Sequence, residues 1–382
     1  MIYAILLNPG HNRIYFEAAL KLSASEFRVA TKNLPNKFKD IEHRIICGID
    51  YLTFTTAGEL TLTDIKTISG MSFFYALFEL KNIDNDTYFK PINEFKEHYV
   101  DESISSILKY TGKTNEIFTR MMINIACAAR GGVCDGGGSG NGGGIVGGGR
   151  SNNCDSGDRG RSSGSGAGRT NLLDPVAGKG TTLYEGLIKG FDVYGIEIGD
   201  KITNEIHHYV KRFLETAKYK HEYTPLKISG PGKSFTAQRH TFKIAKSKEE
   251  YKNKETKIFE VVAGNSLYAN KYYKKDFFDI IVGDLPYGVQ HGSVTNEKQS
   301  SMTRNPAELL NACLPSWLDV LKPGGSIVLA WNINILPRAQ IEHIFEENGL
   351  AVLRDDIYMQ FEHRVDQAIL RDIITAVKIP KR

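Results

Sequence analysis

From residue 171 onward the chain alternates strand-like and helix-like segments, and no other feature restricts its fold as strongly. "TNLLDPVAGKG" reads as a strand entering a glycine loop, and "TTLYEGLIKG" as the helix behind it. "FDVYGIEI" is a second strand and "KITNEIHHYVKRFLETAK" its helix. "IFEVVAGNS" and "FFDIIVGDLPYG" are a third and a fourth strand. "PAELLNACLPSWLDVLKPGG" is a helix ending in a Pro-Gly-Gly turn, and "SIVLAWN" a fifth strand. "RAQIEHIFEENG" is a further helix, while "LAVLRDDIYMQ" and "RDIITAVKI" form a terminal strand pair. Such alternation implies a parallel, doubly wound sheet that binds ligands at the carboxyl ends of its strands.

Two segments interrupt this order. Residues 131–170 hold 17 of the 37 glycines and cannot bury a core, so they read as a disordered Gly/Ser-rich insertion. Its arginines (Arg150, Arg159, Arg161, Arg169) are read as solvated. Residues 218–257 form a polar excursion with eleven Lys/Arg against four acids, a net of +7 in a chain of net +4. Interleaved with Tyr223, Phe235, His240 and Tyr251, that charge suits a polyphosphate backbone.

Upstream, residues 1–117 mix strand-like runs ("YAILL", "FRVA", "YLTFTTA", "FFYALFEL") with the helical "YFEAALKLSA", which suggests a small α+β domain. The run 115–130 carries Ile117, Met121, Ile125 and Ala128 at helical spacing, and its residues 118–130 form a helix leading into the following domain, 171–382. No stretch reaches the ~20 apolar residues of a membrane helix, and the N-terminus lacks the marks of a signal peptide. Cys47, Cys127, Cys134, Cys154 and Cys313 form no CxxC pair, which favours reduced thiols and a cytoplasmic location over a disulfide framework or a zinc site. His207 and His208 have no carboxylate or cysteine partner in the pattern, and no metal is expected.

"LLDPVAGKGTTLYEG" places Asp174 at a strand end, followed by Gly178 and Gly180, which let the backbone approach a ligand. The helix behind them offers free N–H groups. Glu197 ends the second strand, where a carboxylate accepts both hydroxyls of a ribose. At the third strand's end, Asn265 or Ser266 is positioned to meet an adenine edge. Nucleotide-triphosphate loops are excluded: "TGKT" (111–114) and "PGKS" (231–234) have Ile107 and Lys227 where the first glycine is required.

Taken together, "DPVAGKGTTLYE" and "DLPYG" are similar to the S-adenosylmethionine-dependent amino-methyltransferases of class I fold. Within them the chain resembles the tRNA guanosine-N2-methyltransferase-like RNA methylases, often THUMP-associated. The likeness covers about 170–382, with "TRMMINIA" (119–126) and "FEHRVDQAILRDIITAVK" resembling further segments of that family's bacterial branch. It implies a Rossmann-like sheet of seven strands, the last antiparallel. It also implies a cofactor site built from Asp174, Pro175, Ala177, Gly178, Gly180, Thr181, Glu197, Asn265 and Ser266, and a target-amine site from Asp284, Leu285, Pro286 and Tyr287. S-adenosyl-L-methionine is the implied cofactor, RNA (tRNA first) the partner, and a small activator subunit a further one. Leu285 stands where the family has a proline, and 1–117 is short for a THUMP arrangement.

The chemistry of "DLPYG" agrees. An exocyclic base amine shares its lone pair with the ring and is a poor nucleophile. Acceptors on both N–H bonds, the Asp284 carboxylate and the Leu285 carbonyl, favour a pyramidal nitrogen. Pro286 restricts Leu285 and aims that carbonyl, and Tyr287 offers a stacking face worth about 1–3 kcal/mol. An acceptor-only carboxylate suits guanine's paired donors. His291 and Arg304 are secondary candidates for the pocket, with exposed loop positions as the alternative, and so are His363 and Arg364, with a surface ion pair to Asp366 as theirs. Competing readings are a DNA or rRNA amino-methyltransferase (adenine N6 or guanine N2) and a non-catalytic RNA-binding subunit.

Overall fold

The computed structural model describes residues 1–8, 13–83, 86–95, 97–106, 114–131, 169–287, 305–365 and 367–380. Most of the Gly/Ser tract lies outside them, as do His291, Arg304 and Asp366.

Near the N-terminus, β1 (Ile2–Leu7), β2 (Lys39–Ile46), β3 (Ile49–Thr55), β4 (Phe74–Ile83) and β5 (Asp86–Ile92) form an antiparallel sheet in the order β2-β3-β1-β4-β5. Alternate residues Tyr3, Ile5, Leu7, Leu52, Phe54 and Leu77 fill a core beneath α1 (Arg13–Thr31) and α2 (Leu62–Ser69). "FRVA", expected as a strand, is instead the end of α1. That helix is apolar on two sides: Ala24 and Phe27 face the small sheet's core, while Leu22 and Val29 face the larger one. A helix buried between two cores loses the single-stripe pattern by which helices are recognised.

The second sheet has the order β13-β15-β12-β11-β6-β7-β10-β9-β8. Its parallel centre is β6 (Asn171–Asp174), β7 (Asp192–Glu197), β10 (Lys257–Ala263), β11 (Phe278–Asp284) and β12 (Leu321–Asn332). β15 (Leu370–Lys378) closes it antiparallel to β12, and β13 (Leu350–Val352) pairs with β15. Counting only these seven, the spatial order 3-2-1-4-5-7-6 with the last strand reversed is the class I methyltransferase arrangement. The chain winds outward from β6 through β7 to β10, then returns to the other side of β6 at β11. That reversal opens a crevice at the carboxyl ends of β6 and β11.

Helices cover both faces of this sheet. α3 (Glu116–Ala129), α4 (Thr181–Ile188) and α5 (Asp200–Thr216) bury Met122, Ile125, Leu183, Leu187, Ile206 and Val210 on one side. Leu310, Leu314 and Trp317, from the helix Pro306–Val320, and Ile344 and Phe345, from Arg338–Glu347, do so on the other. α3 also joins the two sheets: the Asn124 side chain donates to the buried Glu26 carboxylate of α1 at 2.6 Å, and Ser326 of β12 to the Ala126 carbonyl at 2.6 Å.

The basic excursion is not an irregular loop. β8 (Lys220–Ser229) and β9 (Thr236–Ala245) form a hairpin that adds two antiparallel strands to the edge at β10. Phe242 and Ile244 point into the core while the outer strand carries lysines and Pro225, features that protect an exposed sheet edge.

Candidate active site

β6 ends at Asp174, which is 2 % exposed. Its Oδ1 accepts the Val176 N–H at 3.0 Å, and the Thr182 side chain bonds the same carboxylate. The loop then folds back: Ala177 N–H donates to the Ile196 carbonyl at 2.9 Å, and Gly180 N–H to the Ala177 carbonyl at 2.7 Å. Gly178 (φ 50°) and Gly180 (φ 87°) take the left-handed conformations this bend requires. Gly180 also precedes α4 without a side-chain cap, so the first N–H groups of that helix face the loop. Thr181 opens the helix and is buried. A Cβ at Gly180 would sit 3.3 Å from the Tyr184 ring. Gly180→Ala is therefore expected to lose about 1–2 kcal/mol of stability and to weaken cofactor binding, measured by denaturant titration and calorimetry.

Glu197, at the end of β7, is held by the same bend. Its Oε2 accepts from Gly178 N–H at 3.0 Å and its Oε1 from Gly199 N–H at 2.8 Å. Burial raises its pKa, and the backbone bonds from Gly199, Gly178 and Ile198 oppose that rise. Of the carboxylate's roughly four acceptor sites these bonds leave capacity for a ligand hydroxyl. Past β10, Asn265 caps a short turn by accepting from Leu267 N–H at 2.9 Å. The Ser266 hydroxyl, expected to face a ligand, turns inward. It donates to the Pro175 carbonyl at 2.6 Å and accepts from the Trp317 indole at 2.9 Å, tying the glycine loop to the helix Pro306–Val320.

The fourth strand meets the first at close range. β11 runs parallel to β6 in the register Ile280↔Leu172 and Ile281↔Leu173. A Cβ on Gly283 would lie 3.3 Å from Asp174 Oδ1 and 3.2 Å from Val176 Cγ2, so glycine keeps this approach open. Asp284 follows at the strand's end. Its Oδ1 accepts the Tyr287 hydroxyl, and its Oδ2 accepts the Thr114 hydroxyl at 2.7 Å. The Leu285 side chain is buried, and its N–H donates to the Ala330 carbonyl of β12 at 2.9 Å, which pins the residue ahead of Pro286. The guanidinium of buried Arg371, on β15, lies 5.4 Å from the Tyr287 ring centroid and 4.3 Å from that of Phe118.

Thr114 and Arg371 were not legible as site residues. Thr114 appears in the sequence only as the end of a rejected phosphate loop, and Arg371 as a charge opening a terminal strand. His363 is not at the surface: its Nδ1 meets the Phe361 carbonyl at 2.8 Å and its ring packs 5.1 Å from Phe118. Arg364 is exposed. His207 stacks on Tyr223 and His240 at 4.6 and 4.9 Å, a packing role.

Three carboxylates thus crowd one edge. The Asp174 pKa is pushed up to about 7, chiefly by burial, with repulsion from Asp284 and Glu197 adding to the rise. An edge built this way favours a ligand carrying positive charge.

Some lysines of the excursion lie at the opposite end of the sheet, whereas Lys227, opposite Gln238, stays at the carboxyl end beside Ala263. Lys220, Lys243, Lys246 and Lys257 sit at the amino ends of the strands, where Lys246 and Lys257 lie 5.2 and 5.8 Å from the Tyr99 ring. At ~3.4 Å per residue, the β9 span from Gln238, beside Ala263, to Ala245 places them ~24 Å from the carboxylate edge.

No family model and no curated protein matches this chain. Among solved structures it is similar to the fibrillarin pre-rRNA processing protein of Methanococcus jannaschii (15% identity, 56% of this chain, 68% of that one, TM-score 0.31). A TehB-like SAM-dependent methyltransferase from Corynebacterium glutamicum matches at 14% identity over 56% of this chain and 82% of that one, with a TM-score of 0.30. TrmN from Thermus thermophilus matches at 14% over 55% of this chain and 44% of that one, also at 0.30. What fixes the fold is the molecule's own strand order. The order of its seven strands, with the last one reversed, is that of the class I methyltransferase fold.

Proposed function

We propose that this protein transfers a methyl group from S-adenosylmethionine to the exocyclic amine of a nucleobase in RNA, with guanosine N2 in tRNA as the leading target. The observation that carries the reading is the meeting of two ligand-shaped corners, the Asp174–Gly180 loop and Asp284–Tyr287, across Gly283. The residues fit the cofactor: Glu197 is oriented by backbone N–H groups to accept ribose hydroxyls, and the carboxylate-rich edge suits a cation. Bound there, S-adenosylmethionine supplies an electrophilic methyl on a sulfonium sulfur.

The chain's residues do the rest. Asp284 and the Leu285 carbonyl accept the two amine N–H bonds and free the nitrogen lone pair. That pair would take up the methyl the cofactor supplies, with the S–CH3 bonding electrons staying with sulfur. The proton lost by the methylated nitrogen passes to the Asp284 carboxylate. Tyr287 stacks on the base, backed by the Arg371 cation. Alignment of nitrogen and methyl accounts for much of the acceleration.

The test is incubation with labelled cofactor and separate pools of RNA and DNA, followed by digestion to nucleosides. Label in N2-methylguanosine from RNA supports the proposal. Label confined to N6-methyladenine would overturn the base assignment, and label in DNA alone the substrate class. An RNA long enough to span ~24 Å reaches the lysine surface as well as the site. Lys246→Glu with Lys243→Glu is expected to raise KM for tRNA severalfold at low salt with kcat unchanged, and to lower the salt dependence of binding. Equal kinetics on tRNA at all salt concentrations would remove that surface from the interface.

A further inference from the structure

The segment "TGKT" fails as a phosphate loop, yet its last residue reaches the catalytic corner. Thr114 donates to Asp284 Oδ2 at 2.7 Å across 170 positions of sequence, while Tyr287 takes the other oxygen. We propose that Thr114 is a positioning residue, whose hydroxyl and that of Tyr287 clamp the Asp284 carboxylate in the orientation that receives the target amine. This rests on the reading of Asp284 given above.

The physical need is clear. A carboxylate's terminal torsion is broad and roughly two-fold, so a single donor leaves it free to swing. One donor on each oxygen stops that rotation, because any turn breaks a bond. The two oxygens of a carboxylate offer about four acceptor sites. The clamp uses two and leaves one on each oxygen for substrate.

The two donors have independent supports. Tyr287 lies three residues beyond Asp284, so the pair alone could shift together. Thr114 instead stands at the start of α3, next to the cap residue Asn115, whose side chain accepts from Phe118 N–H at 3.1 Å. α3 is anchored through the core by Met121, Met122 and Ile125. The helix that joins the two sheets thereby also sets the angle of the carboxylate. A misplacement of about 1 Å at a reacting centre costs on the order of 100-fold in rate.

The experiment compares wild type, Thr114→Val and Thr114→Ser in steady-state methyl transfer, cofactor calorimetry, denaturant unfolding and crystallography. Valine keeps the shape and removes the donor; serine keeps the donor. Thr114→Val is expected to lower kcat about tenfold or more, with cofactor Kd, KM and unfolding midpoint near wild type, and Thr114→Ser to stay within about threefold. Wild-type kcat in Thr114→Val overturns the clamp. So does an equal loss in the serine variant, which would indicate packing. If wild type transfers no methyl to any nucleic acid, the functional reading falls instead. The clamp is then judged by the crystal structures, where an unchanged Asp284 rotamer in Thr114→Val rejects it and a rotated one supports it.

Discussion

Asp284→Ala is expected to reduce methyl transfer by about 100- to 1,000-fold in kcat while leaving cofactor affinity within about twofold. The carboxylate stands at the end of β11, outside the glycine loop and outside the bonds that hold Glu197. Its removal takes away the amine's acceptor and the proton's first destination together. The Thr114 and Tyr287 hydroxyls lose their shared partner, but both lie in a partly open site where water replaces it, so folding is little affected. Asp284→Asn is a sharper variant. It keeps the shape and one acceptor oxygen but presents N–H donors towards guanine's own donors, so activity stays low. The measurement is single-turnover transfer alongside calorimetric cofactor binding. Undiminished turnover in Asp284→Ala would refute the catalytic assignment.

The second large effect concerns Asp174. Burial first, then Asp284 and Glu197, lift its pKa from 3.8 to about 7. A carboxyl group raised on folding contributes stability that is complete below its unfolded value. That contribution declines as pH rises from about 4 to 7 and is flat beyond. A rise of about 3 units at about 1.4 kcal/mol each sets an upper bound of about 4 kcal/mol. Asp174→Asn, which keeps the acceptor for Val176 N–H, is expected to match wild type near pH 4. It should exceed wild type by a margin that grows to pH 7 and then holds. Parallel unfolding curves at pH 4, 6 and 8 would dispose of this account.

Cofactor binding runs the other way. A cationic ligand selects the ionised carboxylate, so below pH 7 binding releases a proton. Affinity should rise towards tenfold per pH unit and level off above 7. Asp174→Asn should bind about 10- to 100-fold more weakly above pH 7, as expected for a lost charge-assisted contact, and with no pH slope. The position thus sacrifices folding stability for ligand charge, and the two variants separate cofactor binding from amine activation.

The bends at this edge of the sheet were legible before any coordinate. A strand ending in "DP", two glycines and a helix make a tight strand-to-helix bend, because the constraint is local. Gly178 and Gly180 adopt left-handed angles for that reason. The same holds for "GDLPYG", where proline restricts the residue before it. "FRVA" was misread because α1 is buried on two sides. The hairpin Lys220–Ala245 was legible only as a basic, polar excursion because its lysines mask an alternation visible in Tyr223, His240, Phe242 and Ile244.

What the sequence determined by itself is the alternation of strands and helices, the bends that need glycine or proline, and the chemical groups at the strand ends. These depend on backbone sterics within a few residues. Only the tertiary structure decided that Thr114 and Arg371 reach the Asp284–Tyr287 corner. It also decided that Ser266 turns inward and that Lys220, Lys243, Lys246 and Lys257 collect at the amino ends of the strands while Lys227 stays at the carboxyl end. Those outcomes follow from which strands pair and in what register, and pairing is settled by contacts between residues as far apart as 114 and 284.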